Sequence, residues 1–430
     1  MAQIYTLLMW ISGGFAAVVA IILVILYIRG TFRDRTEYKV KNVPSPRDPR
    51  FSQALASLSN SVMTSGDSTH FWIESDAINA ARIEAIKSAQ RVIHFETFFM
   101  TPGRRANDFA AALSERAQAG VEVQVIVDQY GSKALPQRYW RRLKAAGVEV
   151  RFFNAFNWRA PVDYFARSHR KLLIVDGKFA LIGGAGISDY WDGLDNISNT
   201  GPWYDFELRL EGEVVAVLEG MFMQHWAYVH GTADLSSTIS DCERSNDPTI
   251  LVTAGDDPSY KSSSIKALFQ TSIFAAKQRI WIASPYLLPD DNLRAALVTA
   301  KKNGVDVRIL TNGIQSDKRF VYYASCELYY DLLAAGIEIY EYQPSMMHAK
   351  ALLLDDRWIS TGSANFDPRS FFHNDELDIS TTQWQLIKNI EKLFTNGFSK
   401  SKLISLADWR QRPTWQRILA RIVLFFQSQL

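Results

Sequence analysis

Cysteine is nearly missing from this chain: Cys242 and Cys326 are the only two in 430 residues. Two isolated thiols make no disulfide framework and no cysteine metal cluster, and they are compatible with a reducing compartment. An excess of charge is missing too. Lys and Arg number 47 against 45 Asp and Glu, a formal net charge of +2. That balance gives no support to a protein that works by neutralising many nucleic-acid phosphates. Histidine is sparse, at seven residues, so any repeated histidine context stands out. Apolar residues are ample, 47% against 21% charged, which is a globular balance. The length exceeds one ordinary core, so two domains are expected.

The run from Ile4 to Ile28 is uncharged and mostly apolar. It is long enough to cross a bilayer as a helix, which takes about 20 residues. A cleaved signal peptide fits less well: no basic residue precedes the run, it is long for a signal core, and no clear small-x-small site follows. Residues 1–30 are therefore expected to be a single-pass anchor. Arg29, Arg33, Arg35, Lys39 and Lys41 follow, diluted by Asp34 and Glu37. The positive-inside rule then places the body in the cytoplasm. Residues 31–60, with Pro44, Pro46 and Pro49, are expected to be a linker.

One pattern occurs twice. His348-Ala349-Lys350 leads into an apolar run to Leu354, a turn at Asp355-Asp356, a returning run over 357–361, and Gly362-Ser363-Ala364-Asn365. His169-Arg170-Lys171 leads into Leu172–Val175, a turn at Asp176-Gly177, Phe179–Ile182 and Gly183-Gly184. Both read as β-hairpins, and His, Lys, Asp and the first Gly keep one spacing. On a strand, residues two apart share a face, so each hairpin sets an imidazole beside an ammonium. Asp176 and Asp355 complete the motifs and are carried with the catalytic set. Their odd spacing from the lysines nonetheless turns them to the other face, where they would fix the hairpin.

The repeat extends further. Ser88–Ile93 resembles Ala276–Trp281, Ala119–Val123 matches Asn303–Val307, and Ala145–Val150 matches Ala334–Ile339. Helix–Gly–strand units in series predict α/β domains, sheets flanked by helices. The first domain is expected over 61–231, a polar linker over 232–248, the second domain over 249–400, and a tail over 401–430. The tail carries Trp415, Ile418, Leu419, Ile422 and Phe426 at helical spacing beside Arg410, Arg412, Arg417 and Arg421. That amphipathic helix suits either a membrane interface or packing on the body. The aromatic and basic segment from Phe152 to Arg167 is open to the same two readings.

Two His/Lys sets on related domains predict a pseudo-twofold dimer within one chain, both sets facing one cleft. Such a cleft suits a phosphodiester. Lys171 and Lys350 would neutralise anionic oxygens, one imidazole would attack phosphorus, and the other would protonate the departing alkoxide. No metal or cofactor is required, since the lysines supply the charge. The paired motifs, with Asn365-Phe366-Asp367-Pro368-Arg369-Ser370, resemble the phospholipase D superfamily, and within it the bacterial cardiolipin synthase branch. The likeness spans nearly the whole chain, from the anchor through Ile93–Thr97 and Leu208–Gly212 to the tail. It implies that His169 is the nucleophile and His348 the general acid. It also implies that an acid after each hairpin orients the histidine of the other half, Glu376 for His169 and Asp205 for His348. Ser363 and Asn365 are expected at the phosphate. The first hairpin departs from the pattern, with Gly184 and Gly186 in those places, so it should contribute fewer side-chain donors.

The function implied is a membrane-bound phosphatidyltransferase making cardiolipin from phosphatidylglycerol through a phosphatidyl-histidine, in a bacterial inner membrane, with no nucleic-acid partner. Hydrolysis to phosphatidic acid is the alternative with the same chemistry. A nuclease, or a scaffold with a decayed first site, are the others. His70, His94, His225, His230 and His373 lack a repeated context and are read as structural.

Overall fold

Each repeated hairpin lies at the middle of its own sheet. In the first, Lys171–Val175 pairs with Phe179–Gly183, and Leu172 faces Ile182. In the second, Ala351–Leu354 pairs with Trp358–Gly362, and Leu352 faces Ser360. The computed structural model describes residues 2–28, 36–161, 163–194, 201–232, 249–259 and 261–427.

Around the hairpins the two sheets repeat one order. The first runs Asp67–Ile73, Phe206–Glu211, Phe179–Gly183, Lys171–Val175, Val92–Thr97, Glu122–Asp128, Glu149–Phe153. The second runs Ile250–Gly255, Asn374–Thr381, Trp358–Gly362, Ala351–Leu354, Arg279–Ala283, Asp306–Asn312, Glu338–Tyr342. In both, the last three strands are parallel and come from the helix–Gly–strand repeats. The others are antiparallel to their neighbours.

The apolar runs of the hairpins have no polar face because both faces are covered. Leu172 and Ile174 point into one core and Leu173 and Val175 into another. The core holding Leu172 is shared between the halves. Val214–Tyr228 supplies Phe222 and Trp226, and Trp384–Ser399 supplies Ile390 and Phe394, packed with Ile182 and Leu208 of one sheet and Leu353 and Ile379 of the other. The layers are therefore helices, sheet, two central helices, sheet, helices.

The anchor reading meets a helix over Ala2–Ile28, about 40 Å long at 1.5 Å per residue. Gln3–Tyr27 has a mean hydropathy of 2.5, enough by length and composition to cross a membrane. Of the basic residues after it, Arg29, Arg33 and Arg35 lie outside the described residues, as do 233–248 of the polar linker.

The expected linker 31–60 needs correction. Phe51–Ser59 is a helix, with Phe51 and Leu55 buried in the outer core of the second half. Val62–Thr64, expected to open the first half, pairs with Ile250–Val252 of the second sheet. The boundary at 400 shifts as well, because Ser401–Ile404 adds a strand beside Glu338–Tyr342. Both additions are made by pairing over long separations, which local composition does not encode.

Candidate active site

The histidines sit just before their hairpins, where the chain of one half meets the other. Arg167 and Ser168 run parallel to Asn374 and Asp375, and the His169 N–H donates to the Asp375 carbonyl at 2.8 Å. The opposite half repeats this: Tyr204 bridges Met347, and the His348 N–H donates to the Tyr204 carbonyl at 2.8 Å. Each histidine is thus seated on the residue before the other half's acid.

The side chains follow. Nδ1 of His169 lies 3.0 Å from Oε2 of Glu376, and Nδ1 of His348 lies 2.9 Å from Oδ2 of Asp205. The pairing crosses between halves. Lys171 Nζ donates to the His169 carbonyl at 2.5 Å and Lys350 Nζ to the His348 carbonyl at 2.6 Å. Lys350 also lies 2.9 Å from Nδ1 of His348. All six groups are buried.

Burial sets their protonation. It pushes His169 down to about 4, with Lys171 and Lys350 adding to the effect against the pull of Glu376. His348 is lowered well below the ordinary histidine range by burial and by Lys350 and Lys171. Burial and Lys350 lower Lys171 to about 7, and burial lowers Lys350 to about 8 against the carboxylates of Asp205 and Glu376. The carboxylates differ. Burial raises both, but His169 and Lys171 outweigh it at Glu376, whereas Asp205 stays raised. At neutral pH His169 is a neutral imidazole with Nδ1 engaged and Nε2 available, as a nucleophile requires.

Ser363 and Asn365 divide their work. The Ser363 hydroxyl donates to Glu376 and accepts from the Leu377 N–H, so it orients the acid. Asn365 lines a cleft of about 360 Å³ with His169, Arg167, Lys318, Asp367 and Arg369. Its Oδ1 is buried with no protein hydrogen-bond partner among the described residues. Asp176 and Asp355 stand apart from these groups. They close the hairpins at the ends far from the lysines, five residues or roughly 16 Å along the extended chain. The Asp176 carboxylate accepts the N–H groups of Gln90, Arg91 and Val92, and that of Asp355 accepts those of Lys277, Gln278 and Arg279. Both therefore hold the hairpins, as their spacing predicts, and stand outside the catalytic set with which the motifs grouped them.

The glycine departure has a physical cause. A Cβ at Gly184 would collide with the Asp205 carboxylate, and one at Gly186 with the Phe99 carbonyl and the Trp191 ring. The donors come from elsewhere: Trp191 Nε1 donates to Asp205 at 3.0 Å and the Phe206 N–H at 2.9 Å. In the other half Ser370 donates to Glu376 at 2.7 Å. Counted from the hairpin glycines, Trp191 and Ser370 occupy equivalent places, a correspondence the repeat could have revealed. Trp191 also meets the His348 ring edge-on at 5.2 Å, and Phe98 meets His169 likewise at 5.0 Å.

His225, Asp256 and Asp375 offer ligand atoms within 4.8 Å of one another. Arg170 is bonded to Asp256, and His225 lies 2.6 Å from Glu96. A guanidinium and an ion-paired imidazole, its proton affinity raised to about 10 by Glu96 against the cost of burial, already neutralise these acids. The donor set does not fit a resident cation.

Two half-sites of histidine and lysine, each completed by an acid from the other half, define an enzyme of the phospholipase D superfamily. A family profile described as cardiolipin synthase, PLD-like domain, matches residues 82–190 and 270–397. The chain belongs to that cardiolipin synthase family of phospholipase D-like enzymes and is a phospholipid phosphatidyltransferase. It is 31% identical over 373 residues to cardiolipin synthase A of Pseudomonas fluorescens (strain SBW25), covering 86% of this chain and 76% of that one. It is 32% identical over 378 residues to a cardiolipin synthase of Geobacillus kaustophilus (strain HTA426), covering 86% and 72%. Among solved structures, phosphatidylserine synthase of Haemophilus influenzae Rd KW20 shares the fold, with a TM-score of 0.69, 15% identity, and coverage of 88% of this chain and 99% of that one.

Proposed function

We propose that this enzyme joins two molecules of phosphatidylglycerol into cardiolipin and releases glycerol. The crossed His169–Glu376 and His348–Asp205 pairs carry the reading, because they hold two imidazoles and two ammonium groups ready for one diester. Nε2 of His169 attacks phosphorus, and the bond from phosphorus to the glycerol oxygen breaks. The alkoxide takes its proton from His348, whose proton affinity rises as the anionic diester arrives. Lys171 and Lys350 neutralise the non-bridging oxygens. A hydroxyl of the second phosphatidylglycerol then gives its proton to His348 and attacks phosphorus, the P–N bond breaks, and His169 is regenerated. Asn365, which lines the cleft, would donate its side-chain amide to the substrate phosphate. Asp205 and Glu376 fix the imidazole tautomers. The body would work at the cytoplasmic face of a bacterial inner membrane.

Purified full-length protein given radiolabelled phosphatidylglycerol should yield cardiolipin and glycerol, and His169→Ala should form neither. Phosphatidic acid as the main product would make the enzyme a hydrolase, and wild-type turnover in His169→Ala would remove the covalent mechanism.

A further inference from the structure

The tail helix Thr414–Phe425 has two apolar faces, and the body covers only one. Ala420 is fully buried, and Val423 and Leu424 pack with Val321 and Ala324 of the Arg319–Glu327 helix. On the other side Trp415, Ile418, Ile422 and Phe425 are 56%, 56%, 57% and 59% exposed. At 100° per residue those four fall within an arc of roughly 80°, away from Ala420. Single exposed apolar residues are ordinary, but a continuous stripe marks an interaction surface.

The stripe adjoins the mouth of the cleft. The Arg319–Glu327 helix under it contributes Phe320, 47% exposed, and Val321 to the cleft wall. Trp415 meets Tyr323 edge-on at 5.4 Å. Across the mouth, the first half contributes Phe165 and Tyr164 to the wall. Beyond them lie Phe156 and Trp158, 68% and 75% exposed, with Phe156 5.9 Å from Tyr164. Arg410 and Arg421 are exposed beside the stripe and Arg159 beside Trp158. Aromatic rings with arginines at their margin match the chemistry of an anionic lipid surface, where rings settle at headgroup depth and guanidinium groups meet phosphates.

We propose that the exposed face of the Thr414–Phe425 helix, with the aromatic rim across the mouth, docks on an anionic bilayer and seats the cleft directly on it. The proposal rests on the phospholipid reading above and adds the surface through which substrate arrives. The occupant is a bilayer because the same chain carries a helix long and apolar enough to cross one, and that helix, inserted, would hold a bilayer beside the body.

The test uses the full chain in vesicles of phosphatidylglycerol and dibrominated phosphatidylcholine. An environment-sensitive dye on Cys242→Ser/Ile418→Cys should be strongly quenched, while one on Cys242→Ser/Glu84→Cys, exposed on the Ser75–Ser88 helix toward its Asp176 end, should not. The variant Ile418→Ser/Ile422→Ser/Phe425→Ser should raise KM for vesicle phosphatidylglycerol about tenfold or more, and leave turnover of dispersed short-chain phosphatidylglycerol unchanged. Equal quenching at 84 and 418, or none, overturns the proposal. So does equal loss on both substrates, unaltered KM on vesicles, or a detergent-stable dimer that the triple variant dissolves. Should the wild type fail to turn over either lipid, the function falls, and the quenching still decides the docking.

Discussion

Burial makes the catalytic side chains what they are. A lysine in water stays charged to pH 10, but Lys171 and Lys350, enclosed together, reach about 7 and about 8, while His169, at about 4, is unprotonated through the whole physiological range. Activity needs His169 neutral, the lysines charged and a proton on His348, which the free enzyme holds only weakly. The value of kcat/KM should therefore climb as pH rises through 4, decline as the free enzyme's His348 loses its proton, and fall more steeply between about 7 and 8 as ammonium charge is lost. The profile of kcat should fall at a higher pH, because bound diester stabilises the ammonium forms. Lys171→Arg, which cannot deprotonate, should move the steeper loss near 7 upward while lowering the maximum. An alkaline limb unmoved by that variant would remove Lys171 from the charge balance. The same shifts act oppositely on folding. Each lysine binds its proton more weakly folded than unfolded, so its contribution to stability rises with pH from about 7 or 8 up to the ordinary lysine value of 10.5.

At the scale of the hairpin, one carboxylate organises a turn and a neighbouring strand together. Asp355 is buried and takes three consecutive N–H groups at the start of Arg279–Ala283, and Asp176 does the same for Val92–Thr97. Asp355→Ala leaves those donors without their acceptor and should cost about 2–4 kcal/mol, seen as a lower thermal midpoint in detergent. The kcat of the remaining folded enzyme should change less than twofold, since the hairpin's far end touches no reacting group. A large loss of kcat with unchanged stability would instead return Asp355 to the chemistry. Elements of this kind were legible in the sequence: the two hairpins, the Gly-ended helices, the anchor and the His-x-Lys pairs rest on short-range periodicity and on duplication. The helix Phe51–Ser59 and the strands Val62–Thr64 and Ser401–Ile404 were not, because each is fixed by a partner far along the chain. Ser363 was expected at phosphate and instead bonds Glu376. Trp191 was overlooked because an indole does not look like the counterpart of Ser370, although both donate to the acid of their own half.

The molecule as a whole works by exchange between its halves. Each histidine takes its backbone seat and its carboxylate from the opposite half, and the shared core holds the exchange in place. Residues acting as one unit lose function non-additively. Glu376→Gln should lower the rate of phosphatidyl-histidine formation by roughly 10²–10⁴-fold, and His169→Ala/Glu376→Gln should be no worse than His169→Ala alone. Rapid-quench measurement of the covalent species gives the comparison, and independent, multiplicative losses would separate the two residues.

The way the body is fastened to its anchor limits where that exchange can happen. Lys266 donates to the Thr36 carbonyl at 2.8 Å, and the Tyr38 hydroxyl donates to the Ser263 carbonyl at 3.1 Å, so the chain is already gripped by the second half at those residues. Only seven residues, 29–35, separate Ile28, the last of the long apolar helix, from Thr36. Fully stretched, that tether spans at most roughly 28 Å. The catalytic body therefore has less slack than one bilayer is thick. With the apolar helix in a bilayer the body would stay within that reach of its surface, and a short insertion at 29–35 would widen the reach without touching a single reacting atom.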